Sequence, residues 1–97
     1  MLNGEVQVGE TGTTDGTLEE LGLVLLEDDK GIQPAQNLTP AVNSDFLSEN
    51  PDLEDLFNEL SAALTTQDLA EMNVKVDLER QKPEDVAKAF LEDKGLI

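Results

Sequence analysis

The order of apolar and polar residues divides the chain near residue 43. Before that point, Val6 and Val8 alternate with polar residues over 3–10, and an apolar run ends at Leu26. Alternation predicts a half-buried strand over 3–10, and a short apolar run bounded by turn residues predicts a buried strand over 22–27. A third strand is expected at 38–42, where Pro40 restricts it to an edge or a bent strand.

Helical spacing dominates after residue 43. A short helix is expected over 44–48 with Asn43 or Ser44 as its cap, and the next helix begins at Pro51 with Asn50 as its cap. Two more helices are expected to begin near Thr65 and at Pro83, and Gly95 suits the left-handed end of the last one. The apolar stripes of these helices predict one shared core, formed by Leu53, Leu56, Phe57, Leu60, Leu69, Met72, Val86 and Phe90.

Composition limits the classes of function. The 97 residues carry a net charge of −16, with 22 acidic and 6 basic side chains. Such a balance excludes nucleic acid and anionic membrane surfaces as partners, since both require clustered Lys and Arg. A cationic ligand, a basic partner surface, or acidic residues that only solvate helix faces all remain compatible with it. The chain contains no apolar segment long enough to cross a membrane, and no signal peptide is expected within it.

Candidate chemistry is sparse, and no enzyme is expected. The chain has no His and no Cys, so the commonest general base, metal ligand and thiol nucleophile are missing. The acidic segment Glu27-Asp28-Asp29-Lys30-Gly31 lacks the alternating oxygens of a calcium loop and indicates a turn that ends a strand. No metal, cofactor or catalytic residue is therefore predicted.

Two loops carry residue types that can contact a polar ligand. The 13–16 loop, Thr13-Thr14-Asp15-Gly16, offers hydroxyls and amides at the start of a helical turn, in which Thr17 and Glu20 have the spacing of a capping box. Those residue types suit a ligand or a helix cap equally. Gln36 and Asn37, between two prolines, can contact a ligand or satisfy a turn.

Several motifs in register give the chain a family resemblance. They are Gly4-Glu5-Val6-Gln7-Val8, the 13–16 loop, Leu25-Leu26-Glu27-Asp28-Asp29-Lys30-Gly31, Asn50-Pro51-Asp52-Leu53, Leu64-Thr65-Thr66-Gln67-Asp68-Leu69, Asn73-Val74-Lys75-Val76-Asp77, Pro83-Glu84-Asp85-Val86-Ala87 and Lys94-Gly95-Leu96-Ile97. With these motifs the chain resembles the substrate-binding proteins of ABC transporters for glycine betaine, choline and related osmoprotectants. The resemblance covers nearly the whole chain.

The resemblance implies an α/β fold of the type II periplasmic-binding-protein class, with the ligand held between two lobes. The chain resembles the C-terminal portion, with few short strands followed by three to four packed helices. The resemblance implies a single fragment over 1–97. Residues 1–21 would belong to the second lobe and hinge, and residues 22–97 would form the C-terminal part of the first lobe. The resemblance also implies an extracytoplasmic parent protein, periplasmic or anchored to the cell surface as a lipoprotein, and an ABC permease as its partner.

The resemblance places the candidate substrate-binding residues at Gly12, Thr13, Gln36 and Asn37. Family members typically enclose the quaternary ammonium group with tyrosines, because a cation is stabilised on aromatic faces. Two such positions are Gly12 and Gln36 here, and the chain has no Tyr or Trp. We therefore expect the chain to share the transport role of the family, whereas the resemblance does not determine which solute is bound.

Two functions from different classes follow. The first is the solute-binding component of an ABC importer, which delivers a glycine betaine-like or choline-like osmoprotectant to its permease. The alternative is a small acidic helical adaptor or carrier that acts through protein contacts, although the chain lacks the Asp-Ser-Leu triplet that a phosphopantetheine carrier needs. An isolated fragment is also expected to self-associate, because the apolar strand at 22–27 would lack its neighbours.

Overall fold

The computed structural model describes residues 1–35 and 37–97, and all regular structure within them is helical. Five helices follow one another along the chain: α1 (Thr17–Glu20), α2 (Ser44–Glu49), α3 (Asp52–Ala63), α4 (Thr66–Asp77) and α5 (Pro83–Asp93). The helices after residue 43 lie close to their predicted positions. None of the helices in the described residues is long and apolar enough to cross a membrane.

The predicted strands at 3–10, 22–27 and 38–42 do not form in the described residues. A strand is stable only when its backbone N–H and C=O groups pair with a neighbouring strand, and this part of the chain offers no such neighbour. The apolar run consequently remains exposed, with Val24 at 83% and Leu26 at 73% of full exposure. The expectation of few short strands is therefore not met by this chain alone.

Helix α2 begins and ends through asparagine side chains. The predicted cap at Asn43 is confirmed, because its Oδ1 accepts hydrogen bonds from the N–H groups of Asp45 at 3.0 Å and Phe46 at 3.1 Å. The predicted role of Asn50 as the cap of α3 is wrong. Its Nδ2 donates to the Phe46 carbonyl at 2.9 Å, since the last carbonyls of a helix have no partner within it.

Helix α4 begins with a reciprocal capping box. The Thr65 hydroxyl accepts from the Asp68 N–H at 3.1 Å, and the Asp68 carboxylate accepts from the Thr65 N–H at 2.9 Å and hydroxyl at 2.7 Å. The hydroxyl of Thr65, followed by its N–H, lowers the pKa of Asp68 below its ordinary value. Two unpartnered donors are satisfied at once, which fixes the first turn of the helix.

Helices α4 and α5 form an antiparallel hairpin. The Lys94 ammonium at the end of α5 lies 3.6 Å from the Asp68 carboxylate at the start of α4, and 5.5 Å from the ring centroid of Phe90. Gly95 adopts a φ of +70° as predicted. The Leu96 N–H then reaches the Leu91 carbonyl at 2.8 Å, which closes α5 in the left-handed Schellman arrangement.

The predicted shared core forms only in part. Val86 on α5 is the only apolar side chain among the described residues that is classed as buried, at 5% exposure. Leu56 is 53% exposed, and the other predicted core residues are only half-buried. The radius of gyration is 17.0 Å, against about 13 Å for a compact domain of 100 residues. Along the apolar stripe of α3, Leu53, Phe57 and Leu60 are partly buried and Leu56 is exposed.

Candidate functional site

The candidate residues Gly12 and Thr13 lie in an exposed turn that leads into α1. The Gly12 carbonyl accepts a hydrogen bond from the Asp15 N–H at 3.1 Å, and this bond closes the turn. Thr13 stands at the tip of the turn, with its side chain at the surface. Its hydroxyl and the neighbouring backbone groups are therefore accessible to a solute.

Asp15 organises the 13–16 loop from within. Its carboxylate accepts from the Thr17 hydroxyl at 2.7 Å, the Thr17 N–H at 3.0 Å and the Thr11 hydroxyl at 3.3 Å. The Thr17 hydroxyl, and then its N–H, lower the pKa of Asp15 below the ordinary value. The predicted capping box between Thr17 and Glu20 is wrong, because Asp15 already holds both donors of Thr17. The Asp15 carboxylate thus satisfies the donors of the first residue of α1, Thr17.

Helix α4 holds the 13–16 loop from the other side. The Asn73 amide Nδ2 donates to the Thr14 carbonyl at 2.8 Å in a partly buried position. A Cβ atom at Gly16 would lie 2.7 Å from the Ala70 carbonyl oxygen and 2.9 Å from the Val74 nitrogen, and closer still to a methyl group of Val74. Only glycine permits so close an approach of the loop to the helix.

A shallow groove of about 340 Å³ lies between the loop and α4. Thr13 and Asp15 line it from the loop, and Gln67 and Glu71 line it from the helix. Gln67 Nε2 donates to the Glu71 carboxylate at 3.1 Å, so those two side chains are paired with each other. The lining is mostly apolar, with Leu18, Ala70 and Val74 beneath acidic side chains at its rim, and no phenylalanine contributes to it among the described residues.

The second candidate loop is separate from the first. Gln36 lies outside the described residues. Asn37 is exposed, and its carbonyl accepts from the Thr39 hydroxyl at 3.1 Å. Asn37 is not among the described residues that line the groove beside Thr13. The chain by itself does not bring Gly12 and Thr13 together with Asn37.

The acidic segment at 27–31 forms a turn, as its residue types predicted. The Asp28 carboxylate accepts from the Gln33 N–H at 2.7 Å, and the Gly31 N–H reaches the Asp28 carbonyl at 3.1 Å. The Gln33 N–H, followed by that of Ile32, lowers the pKa of Asp28. Within residues 1–35 and 37–97, no group of acidic side chains has the arrangement of a metal site.

Sequence reasoning missed Asn73 and Gly16 as determinants of the site. One signal for Asn73 was available, because Leu69, Asn73 and Val76 share one half-buried face of α4. A polar residue with low helix propensity in an apolar stripe indicates a specific hydrogen-bond partner. The close approach at Gly16 had no such signal, since turn glycines are common whether or not another backbone lies near them.

Comparison with protein families supplies a match along most of the chain. Residues 1–93 match the model of the substrate-binding domain of ABC-type glycine betaine transport systems. No solved structure gives a significant match.

Curated relatives come from several bacteria. The chain is 34% identical over 85 residues to a glycine-betaine-binding protein of Pseudomonas aeruginosa, covering 88% of this chain and 27% of that protein. It is 28% identical over 92 residues to the carnitine transport binding protein OpuCC of Listeria monocytogenes, covering 95% of this chain and 30% of that protein.

A further relative combines two roles in one polypeptide. The chain is 30% identical over 84 residues to the ergothioneine transport permease/ergothioneine binding protein EgtU of Helicobacter pylori, covering 87% of this chain and 15% of that protein. The chain thus spans less than a third of the length of the curated relatives described here. Since the family model matches nearly all of its residues, the chain belongs to the family of substrate-binding domains of ABC-type glycine betaine transport systems.

Proposed function

We propose that this chain is part of the solute-binding component of an ABC importer. The parent protein would bind a small osmoprotectant of the glycine betaine or choline type between two lobes, close by a hinge motion and deliver the solute to its permease. In this proposal residues 1–21 belong to the second lobe and hinge, and residues 22–97 form the C-terminal part of the first lobe. The parent protein is extracytoplasmic, and its role is binding without bond chemistry.

The position of the 13–16 loop is the observation that carries this proposal. The loop presents the Thr13 hydroxyl to solvent while Asp15 fixes it from within and Asn73 fixes it from α4. A loop held in place before the ligand arrives costs less entropy on binding. Family membership favours this role over the adaptor or carrier alternative.

Thr13 and Asn37 suit the anionic end of the solute. Glycine betaine, carnitine and ergothioneine each carry a trimethylammonium group and a carboxylate. The Thr13 hydroxyl and the side-chain amide of Asn37 can donate hydrogen bonds to a carboxylate, whereas Gly12 and Gln36 stand at the family positions that surround the ammonium group. We assign these four residues to solute binding in the assembled protein. Aromatic side chains for the cationic end would come from the rest of the parent protein, because this chain has no Tyr or Trp.

A chimera tests the proposal. The 97-residue chain would replace the matching 85-residue segment of the Pseudomonas aeruginosa glycine-betaine-binding protein. Binding of glycine betaine, choline, carnitine and ergothioneine would be measured by calorimetry. We expect saturable binding of at least one of them. A chimera that unfolds cooperatively but binds none of the four would contradict the proposed function.

Substitutions within the chimera test the assigned residues. Thr13→Val removes the hydroxyl while keeping the shape of the side chain, so affinity for the bound solute should fall about threefold to tenfold. Ser61→Ala, an exposed hydroxyl on α3, provides the matched control and should leave affinity unchanged. Equal affinities of the two variants would remove Thr13 from the site.

A further inference from the structure

Helix α4 and the 13–16 loop are joined by the only side-chain hydrogen bond that connects distant parts of the described chain. The Asn73 amide donates to the Thr14 carbonyl at 2.8 Å across 59 residues of sequence. Every other side-chain hydrogen bond in residues 1–35 and 37–97 joins residues within five positions of each other. The relation between loop and helix therefore depends strongly on this contact.

Gly16 contributes a second, independent contact at the same place. Its backbone has a φ of −64° and a ψ of −14°, a conformation that any residue can adopt. The glycine is needed for space alone, since a methyl group there would collide with the backbone of α4 at Ala70 and Val74. The loop lies directly against the helix at Gly16, two residues from the carbonyl that Asn73 holds.

We propose that Asn73 and Gly16 are positioning residues for solute binding, which together hold the 13–16 loop on α4. Neither residue is among the four assigned to solute binding, although the Gly16 backbone borders the groove beside Thr13. They fix the backbone of Thr14 and thereby the placement of Thr13, so that α4 and the binding loop move as one unit. This inference rests on the proposed function for its consequence on affinity, whereas the attachment of loop to helix is a property of the chain alone.

The chemistry of Asn73 distinguishes this role from a simple contribution to helix stability. Alanine is a better helix former than asparagine, so Asn73→Ala would strengthen α4 if the side chain did nothing else. A positioning role instead predicts that Asn73→Ala makes the 13–16 loop more mobile, because the loop loses its hydrogen bond to α4. Asn73→Asp is nearly the same size but has no donor when ionised, and its charge would face the Thr14 carbonyl.

Amide hydrogen exchange in the 97-residue chain tests the attachment without any solute. The reporters are the N–H groups of Asp15 and Thr17, which are bonded to the Gly12 carbonyl and the Asp15 carboxylate. Their exchange should accelerate about threefold to tenfold in Asn73→Ala and more in Asn73→Asp. The Leu96 N–H at the far end of α5 should not change, which separates loop release from general unfolding.

Three matched variants complete the exchange experiment. Gly16→Ala should release the loop as Asn73→Ala does. Gly9→Ala, where a methyl group would make only ordinary contacts, and Asn58→Ala, exposed on α3, should leave the reporters unchanged. Unchanged exchange at Asp15 and Thr17 in Asn73→Ala, Asn73→Asp and Gly16→Ala alike would overturn the proposal.

Affinity in the chimera tests the consequence for solute binding. The dissociation constant for the bound solute should rise about threefold to tenfold in Asn73→Ala, with Gly9→Ala and Asn58→Ala unaffected. A chimera that binds solute with equal affinity in the parent and Asn73→Ala forms would overturn the positioning role while leaving the proposed function intact. A chimera that binds nothing would overturn the proposed function, and hydrogen exchange would still decide whether Asn73 and Gly16 hold the loop.

Discussion

Residues 1–42 and 43–97 differ in how their backbone N–H and C=O groups form hydrogen bonds. The second region forms four helices whose N–H and C=O groups bond within each helix, with side-chain caps at Asn43 and Thr65. The first region forms only the short helix α1, and its apolar run near Val24 is exposed. Helices carry their own hydrogen-bond partners, whereas strands must find theirs in another segment. The described residues of this chain accordingly form helices and no strand.

The comparison extends to function. The second region supplies Asn73, and the first region supplies the loop that Asn73 holds. The candidate residue Asn37, also in the first region, has no such attachment to the helices in the described part of the chain. The part of the proposed site that the chain organises by itself is the part that lies against a helix.

The largest expected effect is on solute binding. The isolated chain should bind glycine betaine or choline weakly or not at all, because the loops at Gly12 and Asn37 are not brought together and no tyrosine is present. Calorimetry on the isolated chain and on the chimera would measure the difference. Micromolar binding of betaine by the 97 residues alone would show that the first region needs no further partner.

The second largest expected effect is on stability, where removing a side chain should cost more in the second region than in the first. Val86→Ala should lower the free energy of unfolding by about 1 to 2.5 kcal/mol, since it removes buried methyl groups from the α4–α5 hairpin. Val24→Ala, the same change at an exposed position of the apolar run, should alter it by less than about 0.5 kcal/mol. Urea titrations followed by far-ultraviolet circular dichroism would give both values. Equal losses at the two positions would mean that the apolar run is packed as well as the hairpin.

The start of α4 should respond to acid. The pKa of Asp68 is lowered in the folded chain from 3.8, chiefly by the Thr65 hydroxyl. A lowered carboxyl pKa stabilises the fold above pH 3.8, and this contribution is lost as the pH falls through the folded value. Asp68→Asn should therefore reduce the loss of helical signal between pH 5 and pH 2, because the asparagine has no carboxylate to be protonated at the cap. Glu59→Gln, exposed in the middle of α3, is the control and should retain the loss seen in the parent chain.

Self-association is the smallest expected effect and involves the first region. The Gly22 and Leu23 N–H groups are bonded to carbonyls of α1, but no backbone hydrogen bond involves 24–27 among the described residues, so two copies can pair there. The net charge of −16 opposes this contact, and salt screens that repulsion to about 10 Å at 0.1 M. The dimer fraction in sedimentation should therefore increase with ionic strength. A strict monomer at every salt and protein concentration would indicate that the first region satisfies its backbone alone.

The sequence by itself determined the features that depend on near neighbours. The cap at Asn43, the proline at the start of α5 and the left-handed Gly95 each follow from contacts within a few residues. The turn at Asp28 is equally local. The family resemblance was also available, because motifs in register do not require a folded partner to be seen.

Only the tertiary structure decided the contacts between distant residues. It placed the 13–16 loop against α4 through Asn73 and Gly16, and it left Val86 as the one buried apolar side chain in the described residues. It also showed that the apolar run, which predicted a strand, remains exposed at Val24, Leu25 and Leu26, whereas the α3 stripe is partly buried except at Leu56. An apolar pattern states which surface would be stabilised by burial. Whether a partner surface exists is a property of the assembled fold, and for the apolar run that surface is not supplied by the described residues of this chain.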